Sequence, residues 1–490
     1  GVSGINSKET KLINNKIMKT IKYFFIGALL TIVGAPAMAQ VDSKEAVNQV
    51  NVILLSKAAD ADKKISAIAK QFKKDPATLT EIGRSYLRAK NLAKAEEYAN
   101  MALAKNKHFG NAYILLGDVA INNDNGGKAS EMFEQACYMD PQNPDGYRRY
   151  AMLNAKSSPT AAVSKLQDLG NAVPGYPWEV EAAEIYDRAG NIPKAIEYYE
   201  KVPLDKMKDS QLASYATDQF LSGKFDKSLE IAEFGVKKSP RNAAFNRLAM
   251  YNNTEKKNYV KALDYGKKLF NECDSAKFSA FDYQYMGVAY TGDGKFEEAI
   301  GQFKKILTLE DVTEDAKISA KEKIGDAYAG MEDYPNAISY YEDVLNSKKD
   351  ATATDWAGLG SVCTLYANTL SGAEQEAAVA KADKIYGEIA DKFPDAAEFA
   401  AFQRARVAGI VDPDLKKGAA KPHYDKLIEL IEADGKIEGT SRTRVLQAYQ
   451  YNMIYALQIG NDVPTSKIYA AKILELDPEN EQAKMVNDLK

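Results

Sequence analysis

Residues 83–102 read GRSYLRAKNLAKAEEYANMA, and residues 117–136 read GDVAINNDNGGKASEMFEQA. Laid over one another, the two segments return the same residue types 34 positions apart: Gly83 with Gly117, Ala95 with Ala129, Ala102 with Ala136. A period of that length marks a stacked array in which each unit buries its apolar face against its neighbours. Chain length then counts repeats and not domains.

The alignment continues along the chain. A central small position recurs at Ala95, Ala129, Ala195, Ser228, Ala262, Ala299, Ala337, Ala382 and Ala420, and an aromatic follows four residues later at Phe133, Tyr199, Phe303, Tyr341, Tyr386 and Tyr424. Glycine returns at Gly83, Gly117, Gly287, Gly325 and Gly360. Inside a helix it costs about 1 kcal/mol against alanine, so its regular return points to a close helix–helix contact that offsets the loss. The aromatic one turn away fills the space beside that contact. Turns such as Arg188-Ala-Gly-Asn191, Ser222-Gly-Lys224 and Gly292-Asp-Gly294 separate paired helices, and Pro141, Pro240, Pro394 and Pro478 stop the second helix of a pair.

These positions carry a resemblance to the tetratricopeptide repeat family, whose unit is about 34 residues of helix, turn and antiparallel helix. Three units match it closely: Tyr113-Leu116-Gly117-Ala129-Phe133-Ala136-Pro141, Tyr283-Met286-Gly287-Tyr290-Ala299-Phe303, and Ile324-Gly325-Tyr328-Ala337-Tyr341. The resemblance covers residues 76–478 and implies an all-α, right-handed α-solenoid of about ten to eleven antiparallel helix pairs. Gly83, Ala95, Gly117, Ala129, Phe133, Ala195, Tyr199, Gly287, Ala299, Phe303, Gly325, Ala337 and Tyr341 are its structural repeat positions. Residues 40–75 then read as capping helices, 76–346 as the regular array, 347–478 as divergent repeats with longer loops, and 479–490 as a closing helix that hides the last apolar face. Between Asn143 and Gly175 the small-residue pattern is lost and Pro159 intervenes, so a distorted pair is expected. Extra residues precede Ala382, and the next unit runs long through Val411-Asp-Pro-Asp414. Surface loops suited to binding are therefore expected at 371–381 and 411–421.

Met18-Lys19-Thr20-Ile21-Lys22 is a positive n-region, Tyr23 to Val33 an apolar h-region, and Ala37-Met38-Ala39 supplies the small residues of a signal-peptidase site. Residues 1–39 thus read as an upstream extension, 1–17, and a signal peptide cleaved between Ala39 and Gln40. The apolar run is shorter than the about 20 residues a membrane span needs, and no later stretch approaches that length. No transmembrane segment is expected after cleavage. Gln40 is not a cysteine, so the lipid anchor of bacterial lipoproteins is not implied. Export leads to the periplasm or cell envelope, with secretion the other destination it allows.

The composition, 45% hydrophobic and 27% charged over 490 residues, is that of a soluble helical protein. Residues 1–39 hold five lysines against one glutamate, so the formal charge of −4 becomes −8 without them, which argues against nucleic acid. Cys137, Cys273 and Cys363, like His108 and His423, are far apart in sequence and fit no zinc spacing. No intramolecular disulfide, metal or cofactor is expected. No nucleophile elbow, phosphate loop or dinucleotide glycine pattern occurs. Gly292-Asp-Gly-Lys295 reads as a helix–helix turn, and Asp274-Ser275-Ala276, a short match to an O-glycosylation pattern, as a surface turn. The chain is accordingly read as a binder and not an enzyme.

The resemblance also places a groove on the inner faces of the first helices, carrying Arg84, Asp118, Arg148, Glu184, Gln284 and Asp326, with Phe281 and Tyr285 nearby. Such a mixed-charge groove suits an extended peptide or a partner helix. Some family members clamp a terminal carboxylate there with Lys, Asn and Arg. Thr80, Arg84, Ile114 and Asp118 do not supply that cluster. The expected role is an exported scaffold holding envelope proteins. A glycan- or peptidoglycan-binding protein is the alternative, and a hydrolase or transferase built on groove carboxylates the remoter one.

Overall fold

The computed structural model describes residues 42–489, so the signal-peptide reading, with its cleavage site at Ala39 and Gln40, lies outside the described residues. The described residues form helices joined by short connections, with no β-strand among them. They fall into two compact units that part between Val202 and Pro203, and each unit is an α-solenoid of antiparallel helix pairs.

In the first unit a capping pair, Ser43–Ser56 and Ala61–Gln71, precedes four repeats. Their first and second helices are Pro76–Arg88 with Leu92–Leu103, Gly110–Asn122 with Gly126–Met139, Pro144–Asn154 with Pro159–Ala172, and Trp178–Arg188 with Ile192–Tyr199. The second unit stacks Asp209–Leu221 with Phe225–Lys238, Ala243–Glu255 with Tyr259–Asn271, Ala280–Gly292 with Phe296–Leu307, and Glu314–Gly330 with Tyr334–Ser347. It continues with Ala353–Thr369 and Gly372–Lys392, Ala397–Gly409 and Lys421–Asp434, Gly439–Gln458 and Val463–Leu476, and closes with the short helix Glu481–Asn487.

Most pairs share one turn. The first helix is followed by a residue of left-handed φ, and the next residue precedes the second helix: Lys90 (φ 61) then Asn91, Gly190 (φ 73) then Asn191, Glu332 (φ 61) then Asp333. The side chains of Asn91, Asn191 and Asp333 accept the backbone N–H of Lys94, Lys194 and Asn336, satisfying a helix-end donor. Gly292-Asp-Gly-Lys295 is this turn too, with Gly294 at φ 75 and Asp293 paired to Lys295 at 2.6 Å.

Ala95, Ala129, Ala195, Ala262, Ala299 and Ala337 are each the fourth residue of a second helix and are fully buried. Ser228 and Ser466 take the same place with a hydroxyl. They donate it to the carbonyls of Ala216 (2.7 Å) and Met453 (2.9 Å) on the partner helix, which satisfies the buried group. Opposite the alanines, a methyl built on Gly117 would stand 2.3 Å from Cε1 of Phe133, and one on Gly287 2.4 Å from Cε1 of Phe303. The glycines are there for close approach.

Three expectations are corrected. The pair between Asn143 and Gly175 is not distorted, because Ala151 and Ala162 are buried at the two small positions and Pro159 opens the second helix, where no backbone N–H is required. The extra residues before Ala382 do not make a loop at 371–381; they lengthen the second helix to Gly372–Lys392. Ala420 is buried but stands at the N-cap of Lys421–Asp434 and not within it, so Tyr424 takes the fourth place there.

Candidate protein-binding faces

Arginine and lysine are segregated between the helices of a pair. In the four repeats of the first unit, Arg84, Arg88, Arg148, Arg149 and Arg188 all lie on first helices, whereas second helices carry Lys94, Lys128, Lys165 and Lys194 and no arginine. A guanidinium is a planar fork able to join carboxylates on two sides; an ammonium is a strongly hydrated point charge. Arg84 and Arg148 act as such forks. Arg84 lies 3.1 Å from Glu81 of its own helix and 3.7 Å from Asp118 of the next first helix, and Arg149 reaches back to Asp118 at 2.9 Å. Arg148 lies 3.1 Å from Glu181 and 3.5 Å from Asp145, while the Tyr176 hydroxyl donates to Glu181 at 2.8 Å.

The electrostatics follow from burial. Asp118 is 6% exposed; its burial pushes the carboxyl above the usual aspartate range, against the pull of Arg149 and Arg84. For Arg148, burial works to lower the pKa, but Glu181, Tyr176, Asp145 and Glu184 outweigh it and hold the charge more firmly. Asp118 and Glu181, themselves largely buried, thus hold the guanidinium groups of Arg149 and Arg148, which remain half-exposed. Between Pro144–Asn154 and Trp178–Arg188 this row opens into a cleft of about 250 Å³ lined by Asp145, Arg148, Arg149, Ala151, Met152, Leu166, Glu181, Glu184 and Ile185. Arg84, Asp118, Arg148 and Glu184, picked from sequence, stand on this face. Arg149, Glu181 and Met152 were missed, although the doublet Arg148-Arg149 was a signal for them.

In the second unit Gln284 and Tyr285 line a cleft of about 260 Å³ with Thr254, Glu255, Lys257, Tyr259 and Val288. Tyr285 stacks on Tyr251 with centroids 4.1 Å apart and donates its hydroxyl to Glu255 at 2.7 Å. Beneath the rings Asp282 is fully buried. Arg247 donates to both its oxygens (2.6 and 3.1 Å), Tyr251 to one of them (2.9 Å), and the Ser279 backbone N–H to the other (2.8 Å). This joint ties Ala243–Glu255 to Ala280–Gly292, and sequence reading did not find it. Phe281 is 63% exposed at the start of its helix. Asp326 accepts from the Tyr341 hydroxyl, a tie within its own pair.

The connection 411–420 is closed on Asp412, a buried carboxylate that accepts the N–H groups of Lys417 and Ala419, both at 3.0 Å. His108 holds the Met139 carbonyl at 3.2 Å, and His423 lies 3.6 Å from Asp383, which Arg404 grips with two bonds. Among the described residues no cluster of three or more His, Cys, Asp or Glu is arranged to hold a metal ion, and no helix is long and apolar enough to cross a membrane.

Successive helix pairs, locked by small-against-aromatic contacts and tied through their first helices, define a helical-repeat protein. Tetratricopeptide repeat family models match residues 80–144 and residues 318–350. Those two segments are tetratricopeptide repeats. Similar solved structures include the C-terminal part of a TPR repeat-containing protein from Cytophaga hutchinsonii, at 22% identity over 56% of this chain and 100% of that one, with a TM-score of 0.46. A tetratricopeptide repeat protein from Parabacteroides merdae is 18% identical over 51% of this chain and 98% of its own, with a TM-score of 0.32. MamA from MSR-1 is 18% identical over 35% and 94%, with a TM-score of 0.31. A comparison with curated proteins returns no match.

Proposed function

We propose that the chain is an exported scaffold that holds partner proteins along the first-helix faces of its repeats, working by binding and not by catalysis. Tetratricopeptide repeats support protein partners in general. The observation that carries the reading is the row Arg84–Asp118–Arg149 continued by Arg148–Glu181, with Met152 47% exposed beside it. Arginine and methionine are enriched at protein interfaces. Here the guanidinium groups are already held by carboxylates, so less side-chain freedom is lost on binding. The n-region, h-region and Ala37-Met38-Ala39 favour export, which makes envelope proteins the partners within reach.

Photo-crosslinking amino acids placed at Met152 on the first-helix face and at Glu134 on a second helix, in cells of the native organism, test the reading. Discrete protein adducts, identified by mass spectrometry, are expected from Met152 and not from Glu134. Equal adducts from both positions, or none from Met152, would sink it. N-terminal sequencing of the protein from the same cells tests export: Gln40 is the expected first residue, and a chain retaining residues before it refutes the cleavage.

A further inference from the structure

Asp274-Ser275-Ala276, the short match to an O-glycosylation pattern, occurs once in the chain, and its setting differs from that of the other Asp-Ser pairs. Ser43 and Ser210, which also follow an aspartate, stand in the first turns of Ser43–Ser56 and Asp209–Leu221, and the Ser43 hydroxyl is bonded to that of Thr78. Ser275 lies in the connection between Tyr259–Asn271 and Ala280–Gly292, exposed and outside any helix. Its φ of 50° is in the left-handed region, which a non-glycine residue adopts mostly in turns.

Both neighbours of Ser275 are anchored. Asp274 accepts from Nε and Nη2 of Arg241, at 3.0 and 2.6 Å, and its backbone N–H donates to the Arg241 carbonyl at 3.1 Å. Ala276 packs against the cluster of Met250, Leu263 and Leu269. The turn is thus held on either side of the serine, and the serine is the residue left to water. Among the described residues its hydroxyl has no hydrogen-bond partner. An exposed connection on a rigid scaffold is where a modifying enzyme reaches a side chain, and bulky, solubilising sugars are carried on such surfaces.

We propose that Ser275 is the acceptor of an O-linked glycan, added in the envelope from a sugar carried on a polyprenyl diphosphate; this rests on the export reading above. The Ser275 Oγ attacks the anomeric carbon of the sugar. The bond from that carbon to the diphosphate oxygen breaks, and its electron pair leaves with the polyprenyl diphosphate. The hydroxyl proton passes to a base of the transferring enzyme, and nothing is oxidised or reduced. The Arg241–Asp274 pair positions the turn and takes no part in the step. Ser222, also exposed in a turn but preceded by Leu221, is the internal comparison and stays unmodified.

The test is the mass of the full chain purified from cells of the native organism, with electron-transfer fragmentation to locate any added sugar. The expected product begins at Gln40 and is heavier than its polypeptide by a whole number of sugar residues, all on Ser275. Ser275→Ala is expected to return the bare polypeptide mass. Urea midpoints of Ser275→Ala and the unaltered chain, both produced without residues 1–39 so that neither meets the transferase, are expected to agree, which separates a lost sugar from a damaged fold. A chain that begins at Gln40 with the bare polypeptide mass overturns this inference and leaves export standing. So does sugar found on Ser222 or elsewhere and not on Ser275, or sugar that persists in Ser275→Ala. A bare chain that retains residues before Gln40 overturns both.

Discussion

Replacing Gly117 with alanine sets two effects against each other, and the structure decides between them. Within the helix Gly110–Asn122, alanine is favoured over glycine by about 1 kcal/mol. Its methyl, however, would lie 2.3, 2.7 and 2.8 Å from Cε1, Cδ1 and Cζ of Phe133, where carbon atoms rest at about 3.5–4.0 Å. Phe133 is fully buried in a cluster with Ile114, Ala120, Ala129 and Ala136, so the ring has no free space into which to retreat. Overpacking costs about 1–3 kcal/mol, and a required shift of roughly 1 Å puts this case at the upper end. The net expectation is a loss of about 2 kcal/mol after the propensity gain.

Gly301 is the control. It is exposed within Phe296–Leu307 and a methyl there meets nothing within 4 Å, so Gly301→Ala should stabilise by up to about 1 kcal/mol. Urea unfolding followed by far-UV circular dichroism reads both variants. Adding Phe133→Leu to Gly117→Ala should make the pair less harmful than the sum of its parts by about 1 kcal/mol. If Gly117→Ala is as stabilising as Gly301→Ala, the ring is not wedged against the backbone and the packing account of the recurring glycine fails.

Asp282→Ala should cost about 3 kcal/mol, because it strips the buried side of Arg247 and the Tyr251 hydroxyl of their common partner, with hydrogen exchange showing the loss first in Ala243–Glu255 and Ala280–Gly292. Ser466→Ala should cost about 1 kcal/mol by removing the hydroxyl donated to the Met453 carbonyl, and Ser228→Ala a similar amount, measured as shifts in the urea midpoint. His423 has its pKa lowered by burial and by Arg404, against the pull of Asp383. The unfolded chain therefore takes up that proton first on acidification, and stability present above about pH 6.5 declines as the pH falls through the folded value. His423→Gln should flatten the dependence of the urea midpoint on pH between about 7 and 5; an unchanged slope would show that His423 does not set it.

The helix pairing was legible because its cause is local. A small residue, an aromatic one turn on, and a turn with an Asn or Asp cap recur at positions that the 34-residue spacing exposes. The pair holding Pro159 escaped because it was judged by its proline, although Ala151 follows Gly117 by the same interval and Pro159 occupies the one helical position that suits it. The segment before Ala382 was read as a loop from its length, yet Ala373-Glu-Gln-Glu-Ala-Ala-Val-Ala380 consists mostly of strong helix formers. Contacts along the first helices were less accessible. Arg149 with Asp118 and Arg247 with Asp282 are separated by about one repeat, so the period brings them near one another. Which oxygen each guanidinium takes depends on side-chain conformation that no spacing encodes. Of the eight groove residues, Arg84, Asp118, Arg148 and Glu184 gather on one face, while Asp326 is committed to Tyr341.

The ties between first helices also set how the molecule would give way under load. Arg149 reaches back one repeat, and Arg148 and Arg247 reach forward one. Tension applied along a unit is therefore resisted one neighbour at a time, as in a zipper. Each repeat that lets go frees about 34 residues, roughly 120 Å of extended chain at about 3.5 Å per residue. At the Asp282 joint two repeats share a buried ion pair, so they should come away together, giving one rupture of about double length in an otherwise even series.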